Sequence, residues 1–228
     1  MLSVVIPTRN AEEGLARTLS SLVAAAAEGV VREVIVVDHA STDGTRVVAD
    51  AAGCTLVDGP ADWAGRVAAG VAAARRAPWF LVLPPDVFLE GDWFREAASF
   101  VDRVERTGRS DDTVAVFRLA WDDFDWRARL AEHLVTLSQR LFGSPLREQG
   151  LLVARGRLEK AVRSVPYGDH RALVAALGRS TRRVLRVEAV VLPPGSGGAS
   201  VPSASGLAAL ALAAAGLPVG RDGLSADR

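Results

Sequence analysis

The reading turns on Val34-Ile-Val-Val-Asp-His-Ala-Ser-Thr-Asp-Gly-Thr45, in which an apolar run empties abruptly into a polar turn carrying two carboxylates. The run reads as a buried strand, which places Asp38 at its carboxyl end and Asp43 just beyond. In open α/β sheets ligands bind in the crevice outside the strand ends, so acids delivered there are candidates for ligand recognition. The same residues also read as a strand end followed by a capped helix, with Ser41 or Thr42 as N-cap. Asp43 would then lie in the first turn, where the helix dipole favours a carboxylate.

Outward from this stretch, Leu2-Ser-Val-Val-Ile6 reads as a second strand that breaks at Pro7-Thr-Arg-Asn10 and hands over to an apolar-periodic helix from Ala11. Further strands are expected near 54–57 and 79–83, with helices near 11–27, 43–52, 63–76 and 91–106. Strand, helix, strand at this spacing implies parallel pairing through right-handed crossovers, hence an α/β fold with a doubly wound, mostly parallel sheet. Trp79-Phe-Leu-Val-Leu83 runs into Pro84-Pro85-Asp86; the double proline ends the strand and presents Asp86 at the same edge as Asp38. A polar linker over 105–112 closes this half, 1–112, and the alternating strand Thr113–Leu119 opens a smaller one, 113–195. Within it, Trp126, Leu130, Leu134, Leu137 and Leu141 recur at helical spacing and predict a core-packing helix. Gln149–Ala154 reads as a short strand, Asp169–Leu177 as a helix and Arg182–Leu192 as a strand. The turn-rich segment 193–205 leads to a tail, 196–228, with a short Ala/Leu-rich helix.

Composition excludes several classes. The chain has 228 residues, 49% of them hydrophobic, enough for one substantial core. Its 27 basic and 27 acidic residues cancel, so the basic field expected of a nucleic-acid binder is missing and no nucleic-acid partner is expected. The single cysteine, Cys54, has no partner for a disulfide or a thiolate cage and reads as strand filler. Leu2–Ile6 is too short for a signal sequence, and Gly206–Leu217 falls short of the roughly 20 apolar residues that span a bilayer. A cytoplasmic protein without a transmembrane segment is expected, the tail helix leaving room for peripheral membrane contact. There is no zinc spacing, no Ser/His/Asp order, no phosphate-cradling G-x-x-x-x-G-K-[ST] and no G-x-G-x-x-G after either opening strand.

Taken as a pair, Ser3-Val-Val-Ile-Pro-Thr-Arg-Asn10 and Val36-Val-Asp-His-Ala-Ser-Thr-Asp-Gly-Thr45 resemble the opening of the family-2 glycosyltransferases, V-S-V-V-I-P-T-x-N-E followed by V-V-D-D-G-S-T-D-G-T. The resemblance implies a GT-A fold and an inverting transfer of sugar from a nucleoside diphosphate donor to an acceptor hydroxyl. It implies that Pro7, Thr8, Asn10 and Asp38 hold the nucleoside, that Arg66 in the G-R-V segment reaches the diphosphate, and that Asp86, the surviving acid of the family's D-x-D motif, holds Mg²⁺ or Mn²⁺. Asp169 falls on the second acid of the family's Glu-Asp pair and would be the general base. Each has a structural alternative: Asn10 and Asp169 as helix caps, Asp86 as a turn residue, Arg66 as a solvated helix arginine. Phe117-Arg-Leu119, Leu141-Phe-Gly-Ser-Pro145 and Glu148-Gln-Gly-Leu-Leu-Val153 resemble a branch of the family associated with radical-SAM and selenium-related proteins. Pro84 and Pro85, Gly168, and His39 and Ala40 depart from the family pattern. They raise a second expectation, a degenerate member that binds a nucleotide or a protein partner without transferring sugar.

Overall fold

All seven residues of Leu2–Thr8 are buried, and this strand, β1, is the spine on which the rest of the chain is wound. The computed structural model describes residues 1–75, 77–121, 147–165, 167–178 and 181–191. After β1 come α1 (Glu12–Ala27), β2 (Val31–Asp38), α2 (Thr45–Ala51), β3 (Thr55–Asp58), α3 (Trp63–Ala73), β4 (Trp79–Val82) and β5 (Val87–Leu89). There follow α4 (Trp93–Arg106), β6 (Thr113–Trp121), a 3₁₀ turn (Arg147–Gln149), β7 (Leu151–Ala154), α5 (Arg155–Ser164), α6 (His170–Ala176) and β8 (Thr181–Val191).

The strands form one sheet in the order β3-β2-β1-β4-β7-β6-β8-β5. The parallel pairs β1–β2, β2–β3, β1–β4 and β6–β8 give the expected mostly parallel sheet. Two strands depart from strict double winding: β7 lies antiparallel between β4 and β6, and β5 is antiparallel to β8. β5 was not expected from the sequence, because three residues directly after a Pro-Pro turn carry too short a pattern to read as a strand. The helix over 126–141 and the tail from 193 onward lie outside the described residues.

Side chains leave a strand alternately to its two faces, and the two cores follow that period. Val4, Ile6 and Val36 pack with Leu15 and Leu19 of α1 and Phe100 and Val104 of α4. Val5, Ile35 and Val37 pack on the other face with Val67 and Val71 of α3, Leu158 of α5 and Leu173 of α6. Gly70 lets α3 lie this close: a Cβ there would stand 2.4 Å from Val5 Cγ1 and 3.0 Å from Val37 Cγ2. Arg155 fastens the start of α5 to the lower, amino-terminal edge of the parallel strands, with Nε donating to Ala77 O at 2.8 Å and the guanidinium stacked over Phe80 at 4.7 Å. Cys54 precedes β3 and is partly buried; burial pushes its thiol up to about 11, so it stays protonated.

Candidate functional site

The carboxyl ends of β1 and β2 stop in register, Thr8 opposite Asp38, and the loops that leave them are stitched together. Asn10 N donates to Ser41 Oγ at 2.8 Å, while Asn10 Oδ1 accepts from Thr42 N at 2.9 Å. Ala11 N donates to Thr45 Oγ1 at 2.8 Å. Glu12 and Asp43 exchange bonds: Glu12 N donates to Asp43 Oδ2 at 3.1 Å, and Gly44 N donates to Glu12 Oε2 at 2.8 Å. These contacts supply acceptors to N–H groups at the starts of α1 and α2, which helix geometry leaves unpaired. The cap residues of the two helices, Ala11 and Gly44, make no side-chain cap bond. Ser41 and Thr42 therefore do not cap α2. Asn10 is a strut between the loops and does not cap its own helix. Asn10 and Ala40 both hold φ near +47°, at 46° and 47°, a conformation that strains an alanine in the place where the family carries glycine.

Asp38 is fully buried and heavily engaged. Its carboxylate accepts from Ser41 Oγ, from Ser41 N at 3.1 Å and from Arg46 Nη1 at 3.2 Å, with Thr8 Oγ1 at 3.3 Å. Burial alone would raise this carboxyl; the bonds from Ser41, Arg46 and Thr8 outweigh burial and hold it below the ordinary carboxylate range. Arg46 also reaches Asp58 Oδ1 at 2.6 Å and so bridges the ends of β2 and β3. His39 Nδ1 lies 3.0 Å from Gly59 O and donates to it.

Asp86 lies in the turn between β4, two strands along the sheet from β2, and β5. Its turn rests on the first turns of α1, where a Cβ on Gly14 would meet Pro85 O at 2.7 Å and Asp86 Cα at 3.4 Å. Asp38, at the end of β2, and Asp86, in the turn after β4, therefore both lie toward the carboxyl ends of the parallel strands, Asp86 beside the first turns of α1. Among the described residues Asp86 Oδ1 is buried with no hydrogen-bond partner, a costly state for a carboxylate oxygen unless something binds there. The donor set is thin: among the described residues no group of three or more His, Cys, Asp or Glu could hold a metal. It fits a hard cation that brings phosphate oxygens and water as its remaining ligands.

On the opposite face, Asp62 caps α3, its Oδ2 accepting from Gly65 N at 2.7 Å and from Gly168 N at 3.0 Å. Ala64 N donates to Gly168 O at 2.9 Å, so the 167–169 turn is docked on the start of α3. α5 runs from the lower edge up to this turn, which puts Asp169 at the same sheet edge as Asp38 and Asp86. Asp169 is exposed, and its Oδ1 caps α6 by accepting from Ala172 N at 2.9 Å. Arg66, in the first turns of α3, donates from Nη1 to Ala61 O at 2.6 Å and Pro60 O at 3.2 Å, and its Nε is buried without a partner among the described residues. Burial lowers its pKa; Asp62 opposes this, and the nearby cations Arg147 and Arg9 add to it. Pro7 is buried at the end of β1. Arg9, Arg147, Asp62 and the Glu12–Asp43 exchange were not singled out from the sequence. Arg9 sits inside the quoted Pro7–Asn10 turn and was legible there as a charge at a strand end.

Compared with known families, the chain matches the model of glycosyl transferase family 2 over residues 3–148. No curated protein matches it. Similar solved structures include a mycobacterial protein, 19% identical with a TM-score of 0.59, covering 99% of this chain and 82% of that one. Glucosyl-3-phosphoglycerate synthase from Mycobacterium tuberculosis, in complex with Mn²⁺, uridine diphosphate and phosphoglyceric acid, is 17% identical with a TM-score of 0.58, covering 96% and 79%. Mannosyl-3-phosphoglycerate synthase from Rubrobacter xylanophilus is 13% identical with a TM-score of 0.55, covering 86% and 68%. At these identities the likeness is one of fold.

Proposed function

The chain belongs to glycosyl transferase family 2, and from that premise we propose that it moves a sugar from a nucleoside diphosphate donor to an acceptor hydroxyl at the carboxyl edge of its sheet. The observation that carries the reading is Asp86 Oδ1, buried and without a partner among the described residues, in the turn that leaves the carboxyl end of β4 and rests on the first turns of α1. Asp86 is the residue that would hold Mg²⁺ or Mn²⁺, and such an ion offsets the charge of a departing diphosphate. A structural neighbour solved with Mn²⁺ and uridine diphosphate makes that nucleotide the first to test.

In this reading Pro7, Thr8 and Asn10 form the nucleoside wall, and Asp38 acts chiefly by fixing the 39–42 loop against it. Arg66, tied by two carbonyls and with Nε uncommitted, faces the diphosphate. Asp169 accepts the proton of the acceptor hydroxyl as that oxygen bonds to the anomeric carbon. The bond from that carbon to the diphosphate breaks, and the electron pair leaves with the nucleotide. One displacement inverts the anomeric centre. Residues 1–112 form the donor half and 113–195 the acceptor side. Within the family we place the chain nearest the branch associated with radical-SAM and selenium-related proteins, on Phe117-Arg-Leu119 and Glu148–Val153. The 141–145 motif lies outside the described residues. Among the described residues no helix is long and apolar enough to cross a membrane.

The test is a screen of nucleotide sugars for donor hydrolysis, then for transfer to a panel of hydroxyl acceptors. The reading expects metal-stimulated release of one nucleoside diphosphate. Release of none from any donor, by folded protein with Mn²⁺ present, would overturn it.

A further inference from the structure

A basic cavity lies at the edge of the sheet opposite Asp38 and Asp86. Arg103 in the last turn of α4, Arg109 in the α4–β6 connection, and Arg183 and Arg186 on β8 line one cavity of about 450 Å³. Thr113, which opens β6 opposite Thr181 of β8, is also in the wall, so the cavity sits at the amino-terminal edge of the parallel strands. Asp38 and Asp86 are at the carboxyl edge.

The wall is charged and the floor is not. Phe100, Val104 and Leu185 reach the cavity from the core and are 4%, 7% and 4% exposed. Its one carboxylate, Glu96, is committed to the backbone: Oε1 accepts from Arg186 N at 2.8 Å and Oε2 from Val187 N at 3.0 Å. Those amides lie where the β6–β8 register slips, Val116 pairing with Val184 but Arg118 with Glu188. Among the described residues, Arg103, Arg183 and Arg186 form no ion pair. A place near the helix carboxyl terminus explains Arg103 alone. It does not explain why arginines from a helix, a loop and a strand line the same cavity in a protein of zero net charge.

We infer that this cavity binds a phosphate group carried on an apolar body. Planar guanidinium groups reaching in from separate elements can engage several phosphate oxygens at once, and Phe100, Val104 and Leu185 supply a surface for the attached carbon chain. The volume is in the range of about 300–1,000 Å³ usual for small-ligand pockets. The phosphate belongs either to a soluble ester or to a lipid headgroup.

The experiment is calorimetric titration of the full chain with hexyl phosphate, inorganic phosphate and hexanol, beside sedimentation with phosphatidylcholine vesicles containing or lacking phosphatidic acid. Hexyl phosphate should bind with one-to-one stoichiometry, at least tenfold tighter than inorganic phosphate, with hexanol silent. Arg103→Gln combined with Arg186→Gln should weaken it at least tenfold and leave uridine diphosphate binding unchanged; the Arg186 amide bond to Glu96 survives that change. Val184→Asp, at an exposed rim position, should weaken it without touching the core. Binding of free hexyl phosphate assigns a soluble ester; binding confined to phosphatidic acid vesicles and lost in the variants assigns a headgroup. Hexyl phosphate bound no tighter than inorganic phosphate with no selective vesicle binding, or binding that ignores all three substitutions, would overturn the inference.

Discussion

Asp38 contributes to stability through a pKa held below its ordinary 3.8. A carboxyl depressed on folding stabilises fully above its unfolded pKa and loses that contribution as pH falls through the folded value. Urea melts should therefore show stability insensitive to pH from neutrality to about 4 as far as Asp38 is concerned, then falling below that. Asp38→Asn should flatten this acid limb relative to the parent; an unchanged limb would remove Asp38 as its source. Asp169 poses a different question, since its carboxylate both caps α6 and is proposed as a base. Asparagine caps a helix about as well as aspartate but accepts no proton at neutral pH. Asp169→Asn should keep the melting midpoint and lose transfer by roughly 10²–10⁴-fold, whereas Asp169→Ala should also cost about 1 kcal/mol of stability. Equal transfer by parent and Asp169→Asn would leave only the cap. The sequence offered both roles for Asp169 because the same residue type suits a helix start and proton transfer, and the structure gives the cap its hydrogen bond.

At the scale of elements, two glycines decide how closely helices approach the sheet edge and its faces. Gly70→Ala must push α3 off Val5 and Val37, which are β-branched, buried and stiff, and should destabilise by about 1–3 kcal/mol in urea titration. Gly14→Ala would drive a methyl toward the Pro85 carbonyl and displace the turn carrying Asp86. It should weaken metal-dependent nucleotide binding by more than its effect on the melting midpoint accounts for; parallel changes in the two would confine Gly14 to packing. The elements that carried strong period in the sequence, β1, β2, α1, α3 and α4, were legible to within a few residues. β5 was not, since three residues between a Pro-Pro turn and a helix show no period. The helix caps were misassigned for another reason. Ser41, Thr42 and Asn10 have the composition of caps, but their hydrogen bonds cross between two loops some 30 residues apart in the chain, a pairing that local pattern cannot reveal.

For the whole molecule, alternation of strands and helices made a mostly parallel sheet legible, and the paired strand-end strings made the family legible. The insertion of antiparallel β7 between β4 and β6 was not, because strand order is fixed by long-range packing. That insertion matters: it leads the chain down to Arg155 and back up through α5, bringing Asp169 to the edge that already holds Asp38 and Asp86. The sheet so built has a carboxyl edge proposed to receive the nucleotide, where Asp86 Oδ1 is buried without a partner among the described residues, and an opposite edge with a basic cavity. The most direct test of the first is calorimetric titration of uridine and guanosine diphosphates, with and without Mn²⁺, on the parent chain and on Asp86→Ala. The account predicts that one nucleotide binds at least tenfold more tightly with Mn²⁺ and that Asp86→Ala abolishes this gain. Binding that is indifferent to both the metal and the substitution, or no binding at all by the folded parent, would contradict it.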